Sequence, residues 1–167
     1  DSYHSAKGQY GGSNVNNKAS VTTINSGANL HLSGASPIHG DINVNGNFSS
    51  TGSSELTGKV SATGNITISG GGKNRLTGDF SAGGNLDLGA GLSIGGNGSV
   101  VGDINYRPDS KINGSLTFGG KDKSGGDVSK LASSVFNRDP LIPAFNAPPC
   151  DPMDIADKMK DFSSFAS

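Results

Sequence analysis

Gly34, Gly40, Gly46, Gly52, Gly58, Gly64 and Gly70 recur every six residues. Asn74 and Arg75 then shift the phase, which resumes through Gly78, Gly84, Ala90, Gly96, Gly102, Pro108, Gly114 and Gly120. Self-similarity at a fixed short period is the signature of a repeat architecture. The frame is apolar-x-Gly-x-apolar-x, and residues 20 to 123 hold seventeen such hexads, interrupted once.

Two apolar columns run through this frame. The first position reads Leu32, Ile38, Val44, Ser50, Leu56, Ala62, Ile68, then Leu76, Ala82, Leu88, Ile94, Val100, Tyr106, Ile112 and Phe118. The fifth reads Ile24, Leu30, Ser36, Ile42, Phe48, Ser54, Val60, Ile66, Gly72, Phe80, Leu86 and Leu92, and its apolar character fails at Ser36, Ser54 and Gly72. Those failures are eighteen residues apart, so the superperiod is three hexads. A hexad holding a short strand and a corner, three to a turn, predicts an all-β solenoid, a three-sided parallel β-helix of about six coils. Stacked at about 4.8 Å, these coils make a rod of about 27 Å. A right-handed helix is favoured, because the left-handed hexapeptide class places a small residue directly after the aliphatic one, whereas here Gly lies two residues on.

Composition now makes sense. The 167 residues contain 27 Gly and 7 Pro, only 32% apolar and 6% aromatic residues, and no Trp. A conventional globular enzyme core is hard to build from these. A narrow β-helix needs about two inward apolar positions in six, and a flexible Gly-rich linker would not keep two apolar columns in phase for a hundred residues. A net charge of −1 argues against nucleic acid, anionic lipid or acidic substrates as electrostatic partners.

Neighbouring coils also align chemically. Asn29, Asn47, Asn65 and Asn85 fall in one column, where stacked amides are expected to hydrogen-bond up the ladder. Asp41, Lys59 and Asp79 fall in another with alternating sign, which predicts a Lys between two carboxylates and a device for register more than for stability.

At Ile38-His39-Gly40-Asp41-Ile42, Leu56-Thr57-Gly58-Lys59-Val60, Leu76-Thr77-Gly78-Asp79-Phe80 and Val101-Gly102-Asp103-Ile104 the chain resembles the bactofilins, bacterial polymer-forming proteins. Gly64-Asn65-Ile66 and Gly84-Asn85-Leu86 resemble the Gly-Asn-aliphatic variant of that unit. The resemblance covers about residues 20 to 123. It implies a right-handed β-helix, end-to-end assembly into filaments without nucleotide, and no catalytic residues to carry over. Bactofilins usually have short tails, whereas some 44 residues follow here. That departure points to bactofilin-like domains attached to bacterial surface or pilus-associated proteins, and favours an extracellular or cell-surface location over a cytoplasmic one.

The flanks differ from the repeat. Residues 1 to 19 are polar around Tyr3, Tyr10 and Val15 and read as an N-terminal arm. Asp1 opens the chain without Met or a signal-like apolar stretch, which suggests processing or truncation. Residues 124 to 150 read as a short helix over Asp127–Phe136, with Val128, Leu131 and Val135 on one side, followed by a connector carrying Pro140, Pro143, Pro148 and Pro149. Asp151-Pro152 then opens a second helix, 151 to 167, in which Ile155, Met159, Phe162 and Ala166 fall at helical spacing with Phe165 alongside, opposite Asp157, Lys158 and Asp161. Two placements suit this apolar face: a cap over its own solenoid, or a dock on the next subunit. Cys150, just before it, reads as a free or buried thiol more readily than as an intersubunit disulfide.

Catalytic signals are missing from the pattern. His31 and His39 lie at outward positions without a neighbouring Cys or carboxylate at ligand spacing, and His4 stands apart, so no metal site is expected. Gly70-Gly71-Gly72-Lys73 lacks the Lys-Ser/Thr pair of a phosphate loop, and no cofactor is expected. Asn47, Asn65, Asn97 and Asn113 head glycosylation sequons, as an Asn/Ser/Thr-rich chain produces by chance. No stretch is long and apolar enough to span a membrane. The expectation is a structural protein, not an enzyme, whose partners are further copies of itself and cell-envelope or pilus components. Exposed rungs at Ile24 and Phe118, the helix residues Ile155, Met159, Phe162 and Phe165, and Cys150 are the interface candidates. The alternative is a monomeric adhesin-like or glycan-binding solenoid working through a flat Ser/Thr/Asn face.

Overall fold

A computed structural model describes residues 20–34, 37–69 and 75–138, together with a short antiparallel pair between Ser2–Tyr3 and Val15–Asn16. The described chain is all-β, its parallel strands stacked as a solenoid of about 6 turns, and it has nearly no helix.

The strands form three columns. The first face stacks Val21–Thr22, Ile42–Val44, Val60–Ala62, Phe80–Ala82, Gly98–Val100 and residues 116–118, with Ala132–Asn137 beyond. The second stacks Leu30–Ser33, Phe48–Thr51, Ile66–Ser69, Leu86–Leu88 and Ile104–Tyr106. The third begins with a bridge from Ile38 to Leu56 and continues through Glu55–Leu56, Arg75–Leu76, Ser93–Ile94 and residues 111–112. One long strand, Lys111–Phe118, runs through a corner and serves two faces.

Alternation builds the core. Within each strand the apolar residues of the repeat point inward, and the register stacks like upon like: Ile42 on Val60 on Phe80, and Phe48 on Ile66 on Leu86 on Ile104. These side chains are essentially inaccessible to water. Phe80 has a particular partner, because Gly98 lies opposite it one turn on, and a Cβ there would sit 2.1 Å from the ring. The ring occupies the room that Gly98 leaves, so a large and a small residue share one layer.

Register locates the interruptions. Leu30 pairs with Phe48 and Ile38 with Leu56, a step of 18, but Leu56 pairs with Leu76 and Val60 with Phe80, a step of 20. The two-residue insertion therefore lies between Ser69 and Arg75, as the phase shift indicates. A further offset was not visible in the repeat: Val21, not Ile24, pairs with Ile42, a step of 21. Three extra residues sit in the first turn, around a reverse turn closed by Ala28 N–H donating to the Asn25 carbonyl. Ile24 is thereby moved out of the inward column to which its spacing assigns it, and is 46% exposed.

The C-terminal part of the repeat also departs from expectation. The helix read over Asp127–Phe136 is absent; Val128–Lys130 is one 3-10 turn, capped by Asp127, and Ala132–Asn137 is a strand parallel to Lys111–Phe118. The spacing of Val128, Leu131 and Val135 suits a helix, but an isolated helix of that length is marginal in water. The unpaired edge of the last strand offers a row of backbone donors and acceptors instead, and this pairing wins. The solenoid thus extends past residue 123 to 137. Phe118, expected at an exposed end, is covered by this strand and only 2% exposed.

Adding one methyl at Gly98 should overpack the Phe80 layer. We expect Gly98→Ala to cost about 1–3 kcal/mol of stability, measured as a lowered thermal unfolding midpoint. Combining it with Phe80→Leu should cost less than the sum of the two single changes.

Candidate functional site

The aligned polar columns occupy two corners of the solenoid, and their bonding differs from amide stacking. The Asn29 side-chain oxygen accepts the Asn47 backbone N–H at 2.8 Å, and Asn47, Asn65 and Asn85 accept the N–H of Asn65, Asn85 and Asp103 at the same distance. Asp103 continues the series, accepting from Lys121 N–H. Each turn thus carries the acceptor for the next turn's backbone.

The glycines before these residues explain the repeat. A Cβ on Gly64 would lie 2.3 Å from Asn47 Oδ1, on Gly84 2.3 Å from Asn65 Oδ1, and on Gly102 2.2 Å from Asn85 Oδ1. The carboxamide of one turn folds over the glycine of the next, so a side chain there would displace it. Among the described corner glycines only a few, such as Gly34 and Gly52, take a positive φ that itself favours glycine. Close approach, more than backbone freedom, requires the glycine at this corner.

The second corner corrects the charged column. Asp41 Oδ1 accepts Lys59 N–H at 2.9 Å, Asp79 Oδ1 accepts Asn97 N–H at 2.8 Å, and Asn97 Oδ1 accepts Ser115 N–H at 2.9 Å. The ion pairs found among the described residues are Lys123 with Asp103, at 2.5 Å, and Lys130 with Asp127, at 3.8 Å. Lys59 is not clamped between carboxylates. Its ammonium is a donor only, so the acceptor ladder skips a rung there. Asn97 and Asp103 were missed as ladder members; the readable signal is a glycine followed directly by Asn or Asp, repeated a turn later.

Both ladders point one way and both run out. They end at Lys121, whose side chain carries no acceptor, and at Ser115, whose hydroxyl turns back to Asn97 Oδ1 at 3.0 Å.

The two ends of the rod differ accordingly. At the N-terminal end Leu30, Leu32 and Ile38 are half-buried, while Phe48, Ser50 and Leu56, one turn on, are buried. Ile24 stands beside them, exposed. At the C-terminal end Leu131 and Ala132 are buried with Phe118 under residues 128–137, in which Val128 and Val135 are half-buried. Phe136 projects from this last strand, 45% exposed, with the Arg138 guanidinium 5.1 Å from its ring centre.

The outward faces are mostly polar. Asn43, Ser61, Ser81, Ser99 and Thr117 line the first face in register. On the second, His31 Nδ1 lies 2.7 Å from Ser49 Oγ; His39, at the corner leading from the third face to the first, contacts Thr57 Oγ1 at 3.3 Å. Further along the second face a shallow groove of about 290 Å³ is lined by Asn85, Asp87, Asp103, Asn105 and Lys123. Among the described residues no group of three or more His, Cys, Asp or Glu side chains gathers, and no helix is long and apolar enough to cross a membrane. Cys150, Ile155, Met159, Phe162 and Phe165 lie outside the described residues.

Two measurements test the ladder. Asn65→Ala should cost about 1 kcal/mol by leaving the Asn85 N–H without its acceptor, whereas Asn65→Asp should stay close to wild type at neutral pH. Gly84→Ala should be destabilising alone and less so in the Asn65→Ala background, as a double-mutant cycle will show. Acid titration tests Asp103, whose carboxyl is held below the ordinary 3.8 by the Lys123 ammonium and the Lys121 N–H. Because the folded value lies below the unfolded one, its contribution is complete above about pH 4 and is lost as pH falls through the folded value. Asp103→Asn keeps the acceptor and removes this acid loss, so its unfolding midpoint should fall less steeply over that range.

No family model matches this chain, and the searches of curated proteins and of solved structures find no match to it.

Proposed function

We propose that this protein is a structural subunit, a rigid β-helix rod that self-associates into a bacterial filament or surface polymer without nucleotide. The observation that carries this reading is the asymmetry of the rod: a C-terminal end where residues 128–137 cover Phe118 and bury Leu131 and Ala132, and an N-terminal end whose apolar rung of Leu30, Leu32 and Ile38 is half-exposed beside Ile24. Exposed rungs of a solenoid combine apolar surface with unpaired strand backbone, and both favour a further layer of chain. The bactofilin-like units around Gly40-Asp41, Gly58-Lys59 and Gly78-Asp79 support the same reading. So does the outward chemistry, which is spread along the rod as stripes. A location at the cell surface, with envelope or pilus components as further partners, belongs to this proposal.

A second reading, a glycan-binding module, draws on the polar groove around Asp87, Asp103 and Asn105, whose carboxylates and amides suit sugar hydroxyls.

Negative-stain electron microscopy and sedimentation of the purified full chain without nucleotide test the first reading. Filaments or concentration-dependent oligomers are expected, unchanged by added ATP or GTP. A monomer at every accessible concentration would remove it, and glycan-array binding by that monomer would favour the second.

A further inference from the structure

The self-assembly reading leaves open which surfaces meet. We propose that the N-terminal opening of one copy, formed by Ile24, Leu30, Leu32 and Ile38, receives residues 151–167 of a second copy, so that subunits join head to tail. This inference rests on the self-assembly reading.

The bare end is too small to hold a partner alone. A triangular turn with sides of about 20 Å encloses about 170 Å², far below the roughly 800 Å² per partner of a stable interface. A lasting contact needs further apolar chain. Residues 1–19 offer little, their larger apolar side chains being Tyr3, Tyr10 and Val15. The surplus lies at the other terminus, in Ile155, Met159, Phe162 and Phe165. At the C-terminal end of the rod residues 128–137 already supply such cover, burying Leu131, Ala132 and Phe118.

The route favours a second copy. The chain leaves the described solenoid at Arg138, at the C-terminal end, and residues 139–150 carry Pro140, Pro143, Pro148 and Pro149. Twelve residues reach at most about 43 Å at full extension. To reach its own N-terminal opening it must reverse and run back along the rod, over stripes of Ser, Thr, Asn and charged residues with no apolar track. In a head-to-tail polymer the opening of the following subunit abuts the end from which this segment departs.

The test uses the full chain and two variants. Ile24→Glu with Leu32→Glu blocks the opening; Ile155→Glu with Phe162→Glu blocks the segment. Each alone should raise the concentration for half-assembly about tenfold or more, since burying an unpaired charge costs at least one decade of affinity. Mixed in equal amounts they should form a discrete dimer by analytical ultracentrifugation, because each supplies the half the other lacks. Should the opening variant misfold, oxidation of Ile24→Cys gives an independent reading: a disulfide joining position 24 to Cys150 between chains, seen as a ladder of covalent multimers under non-reducing conditions. The same disulfide formed within one chain would overturn the proposal. So would wild-type polymers that both blocked variants form equally well, in which case self-assembly stands and its surfaces lie elsewhere. A wild-type chain that never assembles would remove the reading beneath both.

Discussion

The structure depends on one contact, a side-chain oxygen at a corner accepting the backbone N–H of the next turn. A parallel β-helix must satisfy its strands, which pair with their neighbours anyway, and its corners, which leave the ladder and expose backbone donors. Asn29, Asn47, Asn65, Asn85 and Asp103 at one corner, with Asp41, Asp79 and Asn97 at another, meet this need from within the preceding turn. The acceptor requires room, and a glycine in the turn above provides it. Glycine and acceptor are therefore one device spread over two turns, and at these two corners the hexad glycine is its visible trace.

The inward residues follow from the same arrangement. Once corners fix the register, each rung meets its equivalent in the next turn, and layers pack by alternating bulk, as Phe80 over Gly98 shows. A few buried polar residues interrupt the columns. Ser110 meets its own need by donating to the Gly89 carbonyl at 2.6 Å. Tyr106, buried near the C-terminal end, directs its hydroxyl to Asp122 at 3.4 Å, and burial raises its pKa above the usual 10.

Periodic features were legible in the amino-acid sequence and singular ones were not. Inward columns, three faces and the polar corner columns are repeated, so each instance supports the others. Ile24 was misplaced because a three-residue insertion occurs once, in the first turn, where no earlier turn exists to reveal the offset. In residues 127–136 three apolar residues match a helical period, whereas the deciding factor, an open strand edge on Lys111–Phe118, exists only after folding. The charged column misled for a chemical reason: Asp41, Lys59 and Asp79 align as their spacing says, but the carboxylate of Asp41 is engaged by the backbone of Lys59. At the N-terminal end, Leu30, Leu32 and Ile38 are legible as members of the inward columns; their partial exposure follows from the absence of a preceding turn among the described residues.

The one-way direction of the corner bonds bears on how such a rod is made. Every acceptor lies in the earlier turn and every donor in the later one, so a finished turn is a complete template for the residues that follow it. A chain emerging from its N-terminus meets its hydrogen-bond partners already in place, turn after turn, each acceptor 18 or 20 residues back. At Lys121 and Ser115 the template is withdrawn. The rod nevertheless continues past both points: Ala132–Asn137 is added by backbone pairing with Lys111–Phe118, so its last strand rests on the sheet ladder.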